Sequence, residues 1–259
     1  ILQNTAGNTV AVLLLVAAVS WAVGWRELAE MLAGLRQNRR LLLATEALFL
    51  AALLAFATFR AYNPEIAYTE KPMEFGFLNG ILRSPAFPPK DPWLSGYGIS
   101  YYYLGYVIAA ALTRLVGLPS DITFNLMGCL LFALTVTGAF AIGSSLVLAL
   151  AGRAQREPAT ERASIATGLL GSLLVAVIGN LEGVFEFIRA RGWGTERLWQ
   201  ALDVKNLATT AVSSRWYPDD LWWWWRASRV IHDRDALGQS MEVIDEFPFF
   251  SFLLGDNHP

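Results

Sequence analysis

The chain has 259 residues, of which 54% are hydrophobic and only 16% are charged. Soluble globular proteins carry about 25% charged residues, so this composition excludes a disordered protein, a nucleic-acid binder and a typical soluble enzyme. The net charge of −2 gives no reason to expect a polyanionic partner, and the single cysteine, Cys129, permits neither an internal disulfide nor a thiolate metal cluster. We therefore expect an integral membrane protein.

Stretches that are nearly free of charge predict the membrane spans. A helix needs about 20 apolar residues to cross the hydrocarbon core, because lipid cannot solvate backbone amides. The predicted fold is therefore an all-α, polytopic bundle with spans near 8–25, 41–59, 99–117, 122–148 and 164–182, and the start of another near 247. Because the chain opens on Ile1 and ends within this last apolar run, we expect a single transmembrane domain that is a fragment of a longer protein.

Two polar segments interrupt the apolar sequence, residues 60–98 and 182–246. The connector 26–40 carries four arginines against two glutamates, and the positive-inside rule therefore places it in the cytoplasm. Segment 60–98 then lies on the extracytoplasmic side.

The loop at 151–163 conflicts with a simple count of crossings. One crossing for each of the two preceding spans puts this loop outside, yet its arginines favour the inside. A hairpin or a broken pair of short helices within 122–150 would resolve the conflict, although the stretch is short for two full crossings. We favour the hairpin, which places 182–246 on the same face as 60–98.

Segment 60–98 has the features of a functional loop. Its four basic and four acidic residues balance, six prolines stiffen it, and loops of this length are often functional. Residues 72–83 are expected to form a short helix on the membrane surface, with Met73, Phe77 and Ile81 on one side. A solvated loop with balanced charge is the plainer interpretation.

A functional interpretation of this loop assigns chemistry to three of its charged residues. Glu70 and Asp91 would face a cavity at the membrane surface, where one of them would act as a general base. Lys71 would bind phosphate.

Three stretches resemble the prokaryotic membrane family DUF2298, also called the YYY membrane proteins. They contain Glu70-Lys71-Pro72-Met73, then Asp91-Pro92-Trp93 with the tyrosine run that follows, and finally Gly255-Asp256-Asn257-His258. The resemblance covers roughly residues 40–259. The family is grouped with the GT-C membrane glycosyltransferases, which include protein O-mannosyltransferases and oligosaccharyltransferases.

The resemblance implies a GT-C-like fold with short interfacial helices in a long extracytoplasmic loop, and a sugar donor linked to polyprenyl phosphate. It also implies an acidic catalytic residue in that loop, for which Glu70 and Asp91 are the candidates. The candidate substrate-binding residues are Lys71, Glu74, Trp93, Tyr101, Tyr102, Tyr103, Tyr106, Glu246, Asp256 and His258. Glu74 stands where aspartate is more usual in the family. Asp256 and His258 could supply two ligands to a divalent metal.

The tyrosines Tyr101, Tyr102, Tyr103 and Tyr106 are expected to begin the third span. An interfacial aromatic belt is the plain interpretation. In a helix Tyr102 and Tyr106 would share one face, and some of the hydroxyls could contact the phosphate or the sugar.

Three arginines are expected near the membrane surfaces. Arg226 and Arg229 follow the tryptophan run 222–225, which is typical of interfacial anchoring, and they could pair with phosphates or with lipid head groups. Arg114 is expected at a similar depth to Glu46, and we hypothesise an intramembrane ion pair between them.

Together these observations predict a membrane glycosyltransferase of a prokaryotic cell membrane. It would move a sugar from a polyprenyl-phosphate donor to an extracytoplasmic acceptor, with membrane lipid as a partner and no nucleic acid. One alternative is a lipid or solute transporter or flippase, although spans almost free of charge count against ion-coupled transport. A non-catalytic scaffold for envelope assembly is the other alternative.

Overall fold

The computed structural model describes residues 3–152, 158–220, 223–255 and 257. Its α-helices are α1 (Ala6–Gly24), α2 (Leu28–Gln37), α3 (Arg39–Ala61), α4 (Lys71–Arg83), α5 (Leu104–Val116), α6 (Ser120–Ala151), α7 (Pro158–Leu173), α8 (Glu182–Ala190), α9 (Glu196–Leu202) and α10 (Pro248–Leu254). Short 3₁₀ helices span Trp25–Glu27 and Trp223–Ser228, and a π-helical turn, Leu174–Ile178, continues α7. Strands β1 (His232–Arg234) and β2 (Ser240–Glu242) pair antiparallel. The predominance of helix confirms the predicted all-α class.

The chain divides into two compact units. The first comprises Ile1–Gly171 and Leu254–Pro259, and the second comprises Ser172–Leu253. The first unit therefore contains α1 to α6 and the polar loop, whereas the second contains α8, α9 and the small sheet.

Four helical segments of the described chain are long and apolar enough to cross a membrane. They are Ala6–Gln37, Arg39–Ala61, Ser120–Ala151 and Pro158–Ile178, and they correspond to four of the expected spans. None of the residues of α1 is buried against the protein. Because its exposed surface is apolar, including Leu13, Leu14 and Leu15, α1 has the surface of a helix that faces lipid.

The expected span at 99–117 was wrong. Only α5 forms there, and its 13 residues reach about 20 Å, whereas the hydrocarbon core is about 30 Å thick. The residues from Ile99 to Tyr103 are not helical, and the Ile99 N–H donates to the carbonyl of Pro89 at 2.9 Å. Gly117 ends the helix in the left-handed region at φ +71°. The non-helical residues before α5 and the left-handed Gly117 after it therefore limit the length of this helix, although the apolar composition of the stretch favoured a full span.

The predicted hairpin within 122–150 was also wrong, because α6 is one continuous helix of 32 residues. Gly143 of α6 and Gly168 of α7 let these two helices pack closely. A Cβ on Gly143 would lie 3.0 Å from the Thr167 carbonyl oxygen, and one on Gly168 would lie 2.7 Å from the ring of Phe140. Small residues let α6 and α7 approach closely, as is common between membrane helices.

Contacts between the long helices resolve the conflict over the loop at 151–163. At one end of the bundle Arg40 pairs with Glu161 at 3.2 Å, so the start of α3 and the start of α7 lie together. At the other end, the Arg60 Nε atom donates to Asn125 Oδ1 at 2.8 Å, which joins the end of α3 to the start of α6. One candidate span, α6, therefore lies between the polar loop and α7, and α3 and α7 start at the same end of the bundle. Arg153 and Arg156 lie outside the described residues.

Segment 60–98 packs as an ordered layer at the loop end of the bundle. The expected short helix is confirmed as α4, which buries Phe77 and Ile81 and partly buries Met73. The shared core of α4, α5 and the start of α6 consists of Phe77, Leu78, Ile81, Ile99, Tyr106, Ala109, Ala110 and Phe124. This packing holds the polar residues of α4 against α5.

The ion pair expected between Arg114 and Glu46 does not form. Arg114 instead donates to the carbonyl of Leu82 at 2.9 Å and to Asn4 Oδ1 at 2.7 Å. Because α5 does not cross the bundle, its C-terminal end lies beside the C-terminal end of α4. There Arg114 caps carbonyl groups that have no partner within their own helix.

Candidate functional site

Glu74 is the most deeply buried acidic residue of the polar loop. Its exposed fraction is 0%, and that of Lys71, one turn earlier on α4, is 6%. Pro72 occupies the first turn of α4, where its fixed φ favours helix and its missing N–H costs nothing. The 3.6-residue period then places Lys71, Glu74 and Leu78 on the same buried face of the helix.

Polar groups from two distant parts of the chain reach the Glu74 carboxylate. The Asn257 backbone N–H donates to Glu74 Oε2 at 3.2 Å, and the Tyr106 hydroxyl lies 3.5 Å from Oε1, at the long limit of a hydrogen bond. Asn257 is held by its Nδ2 atom, which donates to the Phe124 carbonyl at 3.1 Å. Its own Oδ1 is buried and accepts no hydrogen bond from the described residues.

An apolar cavity of about 280 Å³ is lined by Tyr106 and Asn257, although not by Glu74 itself. Its polar lining comes from Tyr106 and Asn257, the two residues that contact Glu74, and its apolar walls include Leu78, Phe124 and Leu131. Gly128 on α6 lets Asn257 lie close to that helix, because a Cβ there would lie 3.2 Å from Asn257 Oδ1. The site thus combines an acid, hydrogen-bond donors and an apolar pocket. We call Lys71, Glu74, Tyr106 and Asn257 the Glu74 cluster.

Glu70 and Asp91, the expected catalytic acids, lie in different surroundings. Glu70 is exposed at the N-cap of α4, and its carbonyl accepts the Glu74 N–H at 3.0 Å. Asp91 is half-buried, and its Oδ1 accepts the N–H groups of Trp93 and Leu94 at 2.7 and 2.9 Å. This Asp91 oxygen shapes a turn, as aspartate often does in loops. Trp93 itself is largely exposed.

The structure separates the four tyrosines. Residues 101–103 precede α5 and are not helical, so the expectation that Tyr102 and Tyr106 share a helix face was wrong. Tyr102 is exposed, while Tyr101 stacks on Phe77 at a centroid distance of 5.6 Å. Tyr103 is half-buried at the N-cap of α5. Only Tyr106, with 3% exposure, combines deep burial with proximity to the carboxylate.

The remaining predicted site residues lie near the end of the chain. Glu246 is exposed in the second unit. Asp256 and His258, the expected metal ligands, lie outside the described residues. Within the part of the chain that is described, no group of three or more histidine, cysteine, aspartate or glutamate residues could hold a metal ion.

The second unit contains a buried acidic pair that the sequence analysis did not identify. Glu182 and Glu186 are one turn apart on α8 and are 4% and 1% exposed. Both Glu186 oxygens accept hydrogen bonds from Arg226, with Nη2 to Oε2 at 2.8 Å, and Arg226 also reaches Asp220 at 3.3 Å. The i,i+4 spacing of two acids in an amphipathic segment was the available signal, but nothing in the sequence pointed to Arg226, forty residues away.

Glu182 has no such partner. Neither of its carboxyl oxygens has a hydrogen-bond partner among the described residues. Burial, and the neighbouring carboxylate of Glu186, raise the pKa of Glu182 to about 9. At neutral pH this group is therefore protonated, and one arginine suffices to balance the charge of the pair.

Comparison with known proteins identifies a family but no function. The model of a family described as an uncharacterized membrane protein, DUF2298, matches residues 1–259, which is more of the chain than the resemblance noted from its motifs. No curated protein and no solved structure matches.

Proposed function

We propose that the chain, which belongs to the DUF2298 family of membrane proteins, is a glycosyltransferase that uses a sugar donor linked to polyprenyl phosphate. The observation that carries the proposal is the buried Glu74 carboxylate, contacted by Tyr106 and Asn257, two residues that also line an apolar cavity. A soluble substrate would not require an apolar cavity at the end of a membrane bundle, whereas a lipid-linked donor would.

We place this site on the extracytoplasmic face of a prokaryotic cell membrane. The loop that contains Glu74 lies at the end of α3 that is opposite Arg39 and Arg40. Glu161 of α7 pairs with Arg40 at that opposite end. Because cytoplasmic connections are enriched in arginine, the arginine-rich end is the cytoplasmic one.

Glu74 takes the role of general base in this proposal, in place of Glu70 or Asp91. It would accept the proton of an acceptor hydroxyl while the acceptor oxygen bonds to the anomeric carbon of the sugar. The bond from that carbon to the phosphate oxygen breaks, and the polyprenyl phosphate leaves with the electron pair. Lys71, one turn from Glu74 and 6% exposed, would stabilise the charge on the departing phosphate.

The fold supports a GT-C-like arrangement only in outline. Four candidate spans and a helical layer in the first long loop are what such a transferase would need. The loop helix α4 supplies both the base and a cation, and it packs against α5, which supplies Tyr106.

A transfer assay tests the proposal. Membranes containing the full-length protein are incubated with a panel of radiolabelled polyprenyl-phosphate sugars, and movement of label out of the lipid fraction is measured. We expect turnover of at least one donor, and a loss of roughly 10²- to 10⁴-fold in Glu74→Gln. Glu70→Gln, an exposed acid on the same helix, is the matched control and should retain activity. A folded protein that turns over no donor would favour the transporter or the scaffold.

A further inference from the structure

Arg60 is a buried cation whose partners among the described residues are neutral. It lies in the last turn of α3, and its exposed fraction is 7%. Its Nε donates to Asn125 Oδ1 at 2.8 Å, and its Nη2 lies 3.5 Å from the Glu65 carbonyl oxygen. No described carboxylate forms an ion pair with it. Burying a charged group among neutral partners is costly, and an anion bound to this guanidinium would lower that cost.

The backbone around Arg60 holds the guanidinium in place. Gly255, at φ +71°, packs so closely that a Cβ there would lie 2.7 Å from the Arg60 Cζ atom. Asn125 in turn donates to the Pro64 carbonyl at 3.0 Å. An arginine that only extends to the membrane surface would be flexible and exposed, whereas Arg60 is neither.

Arg60 lines a groove of about 550 Å³ between α3 and α6. The walls that extend away from the polar loop are apolar and include Ala57, Leu126 and Cys129. The polar lining lies towards the loop end, where Asp121 is the one described carboxylate of the groove and is exposed. The groove is therefore amphipathic along its length, with its cation near the end of a membrane-spanning helix.

We propose that this groove binds a polyprenyl phosphate, with the phosphate on Arg60 and the first part of the hydrocarbon chain along α3 and α6. The guanidinium fork matches phosphate geometry and forms strong charge-assisted hydrogen bonds with it. The apolar walls fit a hydrocarbon chain, and a phosphate at this depth lies where lipid head groups meet the hydrocarbon core. Asp121, at the open end, disfavours a second anionic group there.

One short segment of the chain links this groove to the Glu74 cluster. Gly255 packs against Arg60, and two residues later the Asn257 N–H donates to Glu74 Oε2. A phosphate on Arg60 would therefore lie beside the same segment that contacts the base. The identification of the lipid as the sugar donor rests on the proposed function. Arg60 would then bind the phosphate of that donor.

Direct binding tests the groove without any transfer reaction. The full-length protein in detergent micelles is titrated with polyprenyl phosphate, and bound lipid is counted by native mass spectrometry. We expect Arg60→Gln to weaken binding by ~10-fold or more, and Arg60→Lys to restore part of it. Arg40→Gln, an exposed arginine at the opposite end of the bundle, is the matched control and should bind as the wild type does.

A second variant tests the groove if Arg60→Gln does not fold. Ala61 lines the groove and is exposed, so Ala61→Trp should fill the space and reduce binding while the charge of Arg60 remains. Wild-type binding by a folded Ala61→Trp protein would overturn the proposal.

Three further probes separate the possible sources of phosphate. Polyprenol, which lacks the phosphate, and inorganic phosphate, which lacks the chain, should each bind at least ~10-fold more weakly than polyprenyl phosphate. Equal binding of either one overturns the amphiphile site. Equal binding of phosphatidylglycerol overturns the assignment to the donor. If the protein transfers no sugar but still binds the lipid through Arg60, the binding site is supported and the proposed function is contradicted.

Discussion

Each of the two units buries a glutamate carboxyl group, Glu74 in the first and Glu182 in the second. Their surroundings differ, and we expect Glu74 to act in catalysis and Glu182 to affect stability. Glu74 is contacted by a tyrosine hydroxyl and a backbone N–H, and the two residues that supply them also line a cavity. Glu182 has no hydrogen-bond partner for either oxygen among the described residues, and its neighbour Glu186 is bound by Arg226. Donors that link a carboxylate to the lining of a cavity favour chemistry on a substrate. An isolated acid beside a structural ion pair affects how the unit responds to pH.

The largest effect is expected from breaking the ion pair of the second unit. Arg226→Met leaves the carboxylate of Glu186 buried at 1% exposure without its counter-charge. Losses of about 3–5 kcal/mol are typical when one partner of a buried pair is removed. Thermal unfolding in detergent should therefore show a strongly lowered Tm. Arg215→Met, which removes an exposed arginine of the same unit, is the control, and an equal Tm for both variants would contradict the structural role.

Glu182→Gln should change the pH dependence of stability. The pKa of Glu182 is raised from 4.5 to about 9 in the folded state, so between these values the folded chain holds a proton that the unfolded chain has released. The contribution of Glu182 to the free energy of unfolding is therefore largest below pH 4.5, and it falls as the pH rises towards 9. Glu182→Gln should flatten the fall in Tm over this window, and Glu196→Gln, on exposed α9 surface, should leave it unchanged. A parallel pH profile in all three proteins would refute the assignment.

Tyr106→Phe should lower transfer without lowering stability much. The hydroxyl lies 3.5 Å from Glu74 Oε1, and a base must be ionised, so this is a hydrogen bond to a carboxylate at the long limit of distance. We expect it to contribute about 1 kcal/mol, which corresponds to roughly fivefold in rate. Tyr102→Phe is the matched control, because its side chain is exposed and does not reach the cluster. Equal transfer rates in the two variants would show that Tyr106 does not position the base.

The smallest effect is expected at Gly128 on α6. A Cβ there would lie 3.2 Å from Asn257 Oδ1, so Gly128→Ala should displace Asn257 slightly and reduce transfer a few-fold at most. Gly138→Ala adds the same methyl group to the same helix where nothing lies within 4 Å. The ratio of the transfer rates of the two variants therefore reports the effect of displacing Asn257. A ratio of one would indicate that Asn257 does not need its present position.

The sequence was sufficient for the helical class and for α4, because apolar length and the spacing of Phe77 and Ile81 follow directly from the physics of burial. It was not sufficient for α5 or α6. Composition does not distinguish a short apolar helix that ends at Gly117 from a full span. Glycines along α6 are equally consistent with a break and with close packing against α7.

The candidate site was only partly predictable for a related reason. Glu74 was among the expected binding residues, but its burial depends on contacts with Tyr106 and Asn257, which are 32 and 183 residues away along the chain. Arg60 carried no signal at all, because an arginine at the end of a span is ordinary for membrane proteins. Its significance depends on Asn125 and Gly255, which only the fold brings to it.

The most direct test of the central claim is to measure donor turnover for Glu74→Gln and Glu182→Gln side by side in the same membranes. Both substitutions replace a buried carboxyl group with a neutral amide of the same shape. We expect Glu74→Gln to lose roughly 10²-fold or more in turnover, while Glu182→Gln retains the wild-type rate at neutral pH. Retention of activity by a folded Glu74→Gln protein would contradict the account.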